Sequence, residues 1–281
     1  MTDTLPAAGR RFSFIQPLYL SFFSKELYQD VGRHWPGVGF SYLLFLLAVA
    51  WIPTMIQFHV SFGRFVRNDL PKITAQLPTI HITKGEVQVD PPGRYEIKDP
   101  DTGKVFLIID PSIEALPLDN IPGDVVLLTH TKLIMRQSQS GETKVQDLAA
   151  IQEFSMTPAD AQRWMQGMAG WAAPVCYPFF VLFSFIYRAV QALIYAAIGV
   201  AFAQAAHARL NYQSLIRLSA VAVTPAVLVD ALVDLLRVHI PMWWLLCFII
   251  AMFYVHFAVK AMADLEARHS TDAPMAPPPP I

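Results

Sequence analysis

Four long apolar runs constrain this chain more than any other feature of its sequence. They cover residues 38–56, 179–202, 215–236 and 242–259. Each run has about the 17 to 25 residues that a helix needs to cross roughly 30 Å of hydrocarbon. Hydrophobic residues make up 54% of the chain and charged residues only 15%, against about 25% charged residues in an ordinary soluble domain. The sequence therefore predicts a membrane protein with four transmembrane helices.

The rest of the chain divides around these runs. Residues 59–170 have the composition of a soluble domain, which predicts a mostly β extracytoplasmic domain, ending in a helix, between the first transmembrane helix (38–58) and the other three (171–261). Residues 1–37 read as a cytoplasmic interfacial amphipathic segment. Residues 262–281 include four consecutive prolines and read as a disordered cytoplasmic tail. The predicted fold class is membrane α-helical with an inserted α+β domain.

Basic residues near the apolar runs predict the orientation, because short cytoplasmic loops carry an excess of Lys and Arg. Only Arg237 marks the loop between the third and fourth runs, although Arg64 and Arg67, just beyond the first run, go against the rule. Both termini are therefore expected in the cytoplasm. The basic residues on the expected cytoplasmic side are Arg10, Arg11, Lys25, Arg33, Arg209, Arg217, Lys260 and Arg268.

Short alternating segments between turn residues predict the sheet of the inserted domain. Segments 79–83 and 86–89 flank Lys84 and Gly85, a pair typical of a two-residue hairpin turn. Further strands are expected at 95–97, 105–109, 125–129, 132–136 and 143–146, with a turn at 139–141 between the last two. Such short strands with regular turns favour a mostly antiparallel sheet.

A helix is expected to follow the last of these strands. Thr157 and Pro158 form a typical helix start, with a hydroxyl at the cap and proline in the first turn. We expect this helix to end near Gly167, because Pro174 and Pro178 predict a kink or a break before the second apolar run.

One amphipathic stripe precedes the first apolar run. Leu20, Phe23, Leu27 and Val31 recur at spacings of three and four, with charged residues between them. One interpretation is a helix that lies in the lipid headgroup region; the other is a helix that packs on the cytoplasmic ends of the protein's own helices. On the first interpretation, and with aromatic rings at the opposite interface, the candidate anchors are Phe23, Lys25, Leu27, Trp35, Trp164 and Trp171.

Arg188, Asp230 and Asp234 lie among the apolar residues of the second and third runs. Asp230 and Asp234 share one face of the third run, and Arg188 lies at a similar depth on the antiparallel second run. Because an unpaired charge at membrane depth costs several kcal/mol, we expect Arg188 to pair with Asp230 and Asp234 to face water or Arg237. Three interpretations follow: an ion pair that sets the helix register, a proton- or ion-linked site, and simple exposure at a frayed helix end.

The sequence carries no pattern typical of an enzyme. It lacks GxSxG, HExxH, P-loop and GxGxxG motifs, and neither Cys176 nor Cys247 lies in a nucleophile context. His81, His130 and Asp110 are conceivable metal ligands, but nothing in their spacing indicates a site. A net charge of −1 without a basic stripe gives no support for nucleic-acid binding. We therefore predict a protein that is not an enzyme and has no cofactor and no metal.

Several segments resemble one protein family. They are residues 21–31, Trp35, Gly37 and the first apolar run ending at 51–53, together with 77–78, 108–110 and 157–158. On these residues the chain, from about Phe14 to Leu265, resembles the bacterial DUF1189 family of uncharacterised membrane proteins. The resemblance implies several spans and one extracytoplasmic domain after the first span. It implies no activity and no site residues.

Two functions are compatible with these patterns. The first is a protein that binds or regulates another membrane or envelope component through its extracytoplasmic domain and helix bundle, with the lipid bilayer, another membrane protein or a second copy of itself as partner. The alternative is a small transporter or channel subunit that uses Arg188, Asp230 and Asp234. Few other polar residues lie in runs two to four, which favours the first.

Overall fold

The computed structural model describes residues 11–113, 124–136 and 143–271. The chain forms two compact units. The helical unit consists of Met1–Gln57 and Pro174–Ile281, and the β-rich unit is Phe58–Ala173.

The elements follow one another in the order helices, strands, helices. The helices are α1 (Pro17–Leu20), α2 (Lys25–His34), α3 (Phe40–Asn68), α4 (Leu70–Thr74), α5 (Pro158–Ala205), α6 (Tyr212–Ala222), α7 (Thr224–Leu236) and α8 (Trp243–Thr271). The strands, which lie between α4 and α5, are β1 (Thr79–Thr83), β2 (Glu86–Asp90), β3 (Tyr95–Lys98), β4 (Val105–Ile109), β5 (Val125–Leu128), β6 (Lys132–Arg136), β7 (Thr143–Asp147) and β8 (Glu153–Met156).

Four stretches of helix are long and apolar enough to cross a membrane. Within the described residues they are Phe40–Thr74, Pro158–Ala205, Tyr212–Leu236 and Trp243–Arg268, so each predicted apolar run lies in one of them. At 1.5 Å per residue, the 48 residues of α5 extend about 70 Å, more than twice the thickness of the hydrocarbon layer. Only part of α5 can therefore lie in a membrane.

The expected helix end near Gly167 and the break at the two prolines are wrong. Helix α5 continues from Pro158 to Ala205 through Pro174 and Pro178. Each proline removes one intrahelical hydrogen bond, a local cost of about 3 kcal/mol. The turns on either side keep their own bonds, and helices of the membrane type tolerate such prolines.

The third candidate span is two helices rather than one. Helix α6 ends at Ala222, and α7 begins at Thr224 with Pro225 in its first turn. Because proline has no N–H to donate to the preceding turn, it favours a new helix start at this point. The Thr224 hydroxyl lies 2.8 Å from the Tyr42 hydroxyl of α3, so the polar side chains at the junction bond to each other.

The prediction of a disordered tail at 262–281 is wrong for its first ten residues, which belong to α8. Helix α8 runs to Thr271, so residues 262–271 are helical rather than disordered, while 272–281 lie outside the described residues. Two contacts explain why this end of α8 is helical. Lys25 forms a 2.9 Å ion pair with Asp264, and the Gln29 side-chain amide donates to the Ala261 carbonyl at 2.9 Å.

Helix α2 is the centre of the helical unit. Leu27, Tyr28 and Val31 are fully buried in one core cluster with Tyr42, and α2 packs against α6 and α8. Its first turn is capped by the Ser24 hydroxyl, which accepts from the Leu27 N–H. Leu27 and Val31 of the apolar stripe thus pack against the protein's own helices, whereas Phe23 is exposed.

The C-terminal end of α2 is capped from another helix. The Arg217 guanidinium of α6 donates to the Trp35 carbonyl and, at 3.0 Å, to the Gly32 carbonyl. These carbonyls have no partner within their own helix. Arg217 therefore ties α2 to α6 through the backbone carbonyls of Gly32 and Trp35.

The β-rich unit has two sheets. Strand β1 pairs with β2 and β8, and the second sheet has the order β3-β4-β5-β6-β7, in which only β4 and β5 run parallel. Lys84 (φ 53°) and Gly85 (φ 84°) connect β1 to β2, which is the two-residue hairpin that the sequence predicts. The sequence missed β8, whose residues are largely exposed. The expected turn at 139–141 lies outside the described residues.

Candidate functional site

Arg188 and Asp230 lie together in the helical unit. Nη2 of Arg188 is 3.2 Å from Oδ2 of Asp230, and the side chains are 13% and 33% exposed. Each of the two groups has one further partner. Nη1 of Arg188 donates to Oε1 of Gln191 at 2.7 Å, and Nε1 of Trp243 donates to Oδ1 of Asp230 at 2.7 Å. The expected contact is therefore present, and it is part of a network.

The network extends one step further along α5. Nε2 of Gln191 donates to the hydroxyl of Tyr195 at 2.8 Å, and Tyr195 belongs to the buried core of the unit. The sequence analysis did not include Gln191, Tyr195 or Trp243 in this site. The spacing of three and four residues from Arg188 to Gln191 and on to Tyr195, all on one helix face, was the available signal.

Asp234 lines a small cavity beside this pair. The cavity holds about 60 Å³ and is also lined by Trp51, Thr54 and Ser184, which is room for a few water molecules. No ion pair or side-chain hydrogen bond of Asp234 is found among the described residues. Arg237 does not pair with it: in the amide orientation that satisfies both groups, the Gln57 oxygen accepts from Nε and Nη2 of Arg237 at 3.0 and 3.2 Å.

This arrangement favours a structural role for the Arg188–Asp230 pair over a role in a transport or reaction cycle. A guanidinium and a carboxylate that each have two partners stabilise a fixed helix arrangement, because moving either group would leave a charge unpaired. All three predicted charges line this cavity, and Asp234 is the one without an ion pair or side-chain hydrogen bond among the described residues.

A buried carboxylate, Asp30, connects the C-terminal half of α2 to Arg11. Asp30 is 3% exposed and accepts from the Arg11 N–H at 3.2 Å, from Nε1 of Trp35 at 3.1 Å, and lies 3.0 Å from Nδ1 of His34. The sequence analysis did not single out Asp30. Its signal was His34 four residues later, on the same helix face.

Of the six candidate anchors, two are wrong as lipid contacts. Leu27 is fully buried and Trp35 is 3% exposed, so both pack inside the helical unit. Phe23, Trp164 and Trp171 are exposed by 66%, 64% and 71%. Their position at a membrane interface stays a prediction.

The β-rich unit contains a larger pocket. It holds about 510 Å³ and is lined by Val87, Gln88, Val89, Pro92, Gly93, Arg94, Asp110, Pro111, Ser112 and His130. This volume is within the range of small-molecule sites. Two residues that the sequence singled out as conceivable metal ligands, Asp110 and His130, lie here. The third, His81, lies elsewhere, with Nδ1 3.1 Å from the Ser155 hydroxyl.

Local surroundings shift the pKa of two groups outside the apolar helices, Tyr28 and Asp99. Burial raises the pKa of Tyr28 well above its usual range, and its hydroxyl donates to the Ser21 carbonyl at 2.7 Å. In the turn between β3 and β4, hydrogen bonds from Thr102 and then from the Asp101 N–H lower the pKa of Asp99. Neither group lines the pocket of the β-rich unit.

The part of the chain that the structure describes holds no group of three or more His, Cys, Asp or Glu side chains that could bind a metal ion. Cys176 and Cys247 are free thiols. Asp110 and His130 share their pocket with the apolar side chains of Val87, Val89, Pro92 and Pro111.

Comparison with known proteins gives one match. A family model described as a protein of unknown function, DUF1189, matches residues 15–259. Searches of curated proteins and of solved structures find no significant match.

Proposed function

The chain belongs to the DUF1189 family, and from the geometry of its two units we propose that it is a non-enzymatic membrane protein that binds a component of the bacterial envelope. Binding takes place in the pocket of the β-rich unit, and the helices hold that unit at the membrane. The observation that carries this proposal is the pocket of about 510 Å³ with polar side chains on its walls.

The proposed location follows from the apolar helices and the basic residues. Four helices have the length and composition of membrane spans, and most basic residues near their ends fall on the side of the two termini. We place both termini in the cytoplasm and residues 58–173 outside the inner membrane. With this orientation the pocket lies in the envelope, outside the inner membrane.

The helix bundle supports an anchoring role. Arg188 and Asp230 are bonded to each other and to Gln191 and Trp243, so their charges stabilise the bundle. A transport path would need further polar groups along the helices, and the polar side chains at the α6–α7 junction, Tyr42 and Thr224, bond to each other.

The alternative, a small transporter or channel subunit, has one observation in its favour. Asp234 lines a water-sized cavity without a partner among the described residues. If Asp234 carries protons or ions, Asp234→Asn should abolish a measurable flux in vesicles containing the purified protein. If neither the wild type nor the variant shows a flux of protons or ions, binding remains the proposed function.

Site-specific photocrosslinking in intact cells tests the binding function. The photoreactive amino acid p-benzoylphenylalanine replaces Gln88, which is exposed and lines the pocket. Its control replaces Lys144, which is exposed on β7 and does not line the pocket. Gel shifts followed by mass spectrometry detect protein adducts, and intact-mass analysis detects small-molecule adducts.

We expect a defined adduct at Gln88 that is absent at Lys144. Equal adducts at both positions, or none at Gln88, would contradict binding in the pocket. Adducts made only with a second copy of this chain would weaken the regulatory function and favour the self-contained transporter.

A cysteine-labelling experiment tests the orientation. In a background without Cys176 and Cys247, a membrane-impermeant maleimide should label Asp101→Cys, in the β-rich unit, in intact spheroplasts. It should label Arg268→Cys, near the end of α8, only after the membrane is opened. The reverse pattern would place the pocket in the cytoplasm.

A further inference from the structure

We propose that the pocket of the β-rich unit binds a small molecule that carries a primary ammonium group, with Asp110 as its counter-ion. This inference rests on the proposed function, because it takes that pocket as the binding site and names the chemistry of its ligand.

Asp110 presents one free carboxylate oxygen to the pocket. The residue is 7% exposed, and its Oδ1 accepts from the Ser112 N–H at 3.1 Å and from the Ser112 hydroxyl at 2.5 Å. Its Oδ2 has no hydrogen-bond partner in the described part of the chain. The turn therefore holds the carboxylate in place and leaves one oxygen to accept a hydrogen bond from a ligand.

The charges around the pocket favour a cation. No basic side chain lies within 4 Å of the Asp110 carboxylate among the described residues. Arg94, which also lines the pocket, is already paired with Glu96 at 2.7 Å. A buried carboxylate without a counter-charge is costly, so a ligand cation would lower the free energy of the site, whereas a ligand anion would raise it.

The chemistry of the other walls favours an ammonium group over a metal ion. Ca²⁺ takes six to eight oxygen ligands, and several of them are usually carboxylates; the pocket lining contains one carboxylate, that of Asp110. An ammonium group needs three acceptors. Oδ2 of Asp110 and a ring nitrogen of His130 are candidate acceptors, and the His130 side chain makes no hydrogen bond among the described residues.

The remaining lining limits the ligand. Val87 and Val89, which are buried, and Pro92 and Pro111 form apolar walls. The ligand is therefore a small molecule with an ammonium group at one end and room for an apolar part at the other.

Ligand-detected saturation-transfer NMR on the purified full chain in nanodiscs tests this assignment. The probes are ethanolamine and its neutral isostere ethylene glycol, which differ only in the ammonium group. We expect ethanolamine to bind the wild type and ethylene glycol to bind at least about tenfold more weakly, because a charge-assisted hydrogen bond is roughly twice as strong as a neutral one and is joined here by ion pairing.

Asp110→Asn should weaken ethanolamine binding by about tenfold or more, since it removes the charge while keeping an oxygen for Ser112. The matched control is Asp101→Asn, which changes an exposed aspartate outside the pocket and should leave binding unchanged. If Asp110→Asn does not fold, Gln88→Lys places a competing cation in the pocket from an exposed strand position, and it should abolish binding.

Equal binding of the two probes, or wild-type binding by Asp110→Asn or Gln88→Lys, would overturn the ammonium assignment. This failure is distinguishable from failure of the proposed function. If ethanolamine does not bind but photocrosslinking at Gln88 still captures a component, the pocket binds and its ligand class is different. If both experiments give nothing, the binding function fails as well.

Discussion

Removal of the Arg188 side chain should destabilise the helical unit. Arg188→Ala leaves Asp230 without its cation, and breaking one side of a buried ion pair costs about 3–5 kcal/mol. Two features of this site reduce that cost. The Asp230 side chain is 33% exposed, and it keeps its 2.7 Å bond from Trp243. We therefore expect a loss of about 2–3 kcal/mol in the free energy of unfolding.

The assay is unfolding of the purified chain in mixed micelles, followed by tryptophan fluorescence, together with the steady-state level in membranes. Addition of Asp230→Asn to Arg188→Ala should recover about 1–2 kcal/mol, because no unpaired charge remains and the asparagine oxygen still accepts from Trp243. A matched control is Arg163→Ala, which breaks an ion pair with Asp160 whose partners are 74% and 45% exposed. It should cost less than about 1 kcal/mol.

Two results would refute this reasoning. The first is a stability of Arg188→Ala within about 0.5 kcal/mol of the wild type, the ordinary range of surface substitutions. The second is a double variant no more stable than Arg188→Ala alone. Either would mean that the pair does not stabilise the arrangement of α5 and α7.

Three further predictions concern other parts of the chain. Gly85→Ala should lower the thermal midpoint of the β-rich unit far more than Gly103→Ala: both residues have positive φ, at a cost of about 1–2 kcal/mol, but an added Cβ meets backbone at 2.7 Å only at Gly85. Arg217→Met should destabilise the chain by about 1–3 kcal/mol, because the Gly32 and Trp35 carbonyls lose their bonds from the guanidinium, and hydrogen exchange should rise in the last turn of α2 first. Leu27→Ala should cost about 2–5 kcal/mol of unfolding free energy and Phe23→Ala under about 0.5; equal losses would mean that α2 is not a core helix.

The candidate site was only partly accessible from sequence. The Arg188–Asp230 contact follows from helical spacing and depth, because both residues lie on long helices whose geometry is regular. Gln191 and Trp243 were not foreseen. Trp243 reaches Asp230 from the start of another helix, and nothing local to either residue encodes that approach.

The pocket of the β-rich unit could be predicted from the sequence even less than the Arg188–Asp230 contact. Asp110, His130 and His81 were singled out by residue type alone. Sheet topology separates them: β1, which carries His81, pairs with β2 and β8, whereas β3 to β7 form another sheet. Only Asp110 and His130 line the pocket. The burial of Asp110 likewise depends on neighbours distant in sequence. The spacing of these three residues indicated no site, and the structure places Asp110 and His130 in one pocket.

The sequence by itself determined the four apolar helices, seven of the eight strands and the hairpin at Lys84 and Gly85, because hydrophobic length, alternation and turn chemistry are local properties. Tertiary structure decided what covers each face. The stripe through Leu27 specified an apolar side of α2 but was equally compatible with lipid and with protein. Only the packing of α2 against α6 and α8, and the Arg217 bonds to its last carbonyls, made it a core helix. A periodic pattern records that a face avoids water, and long-range contacts choose what replaces the water.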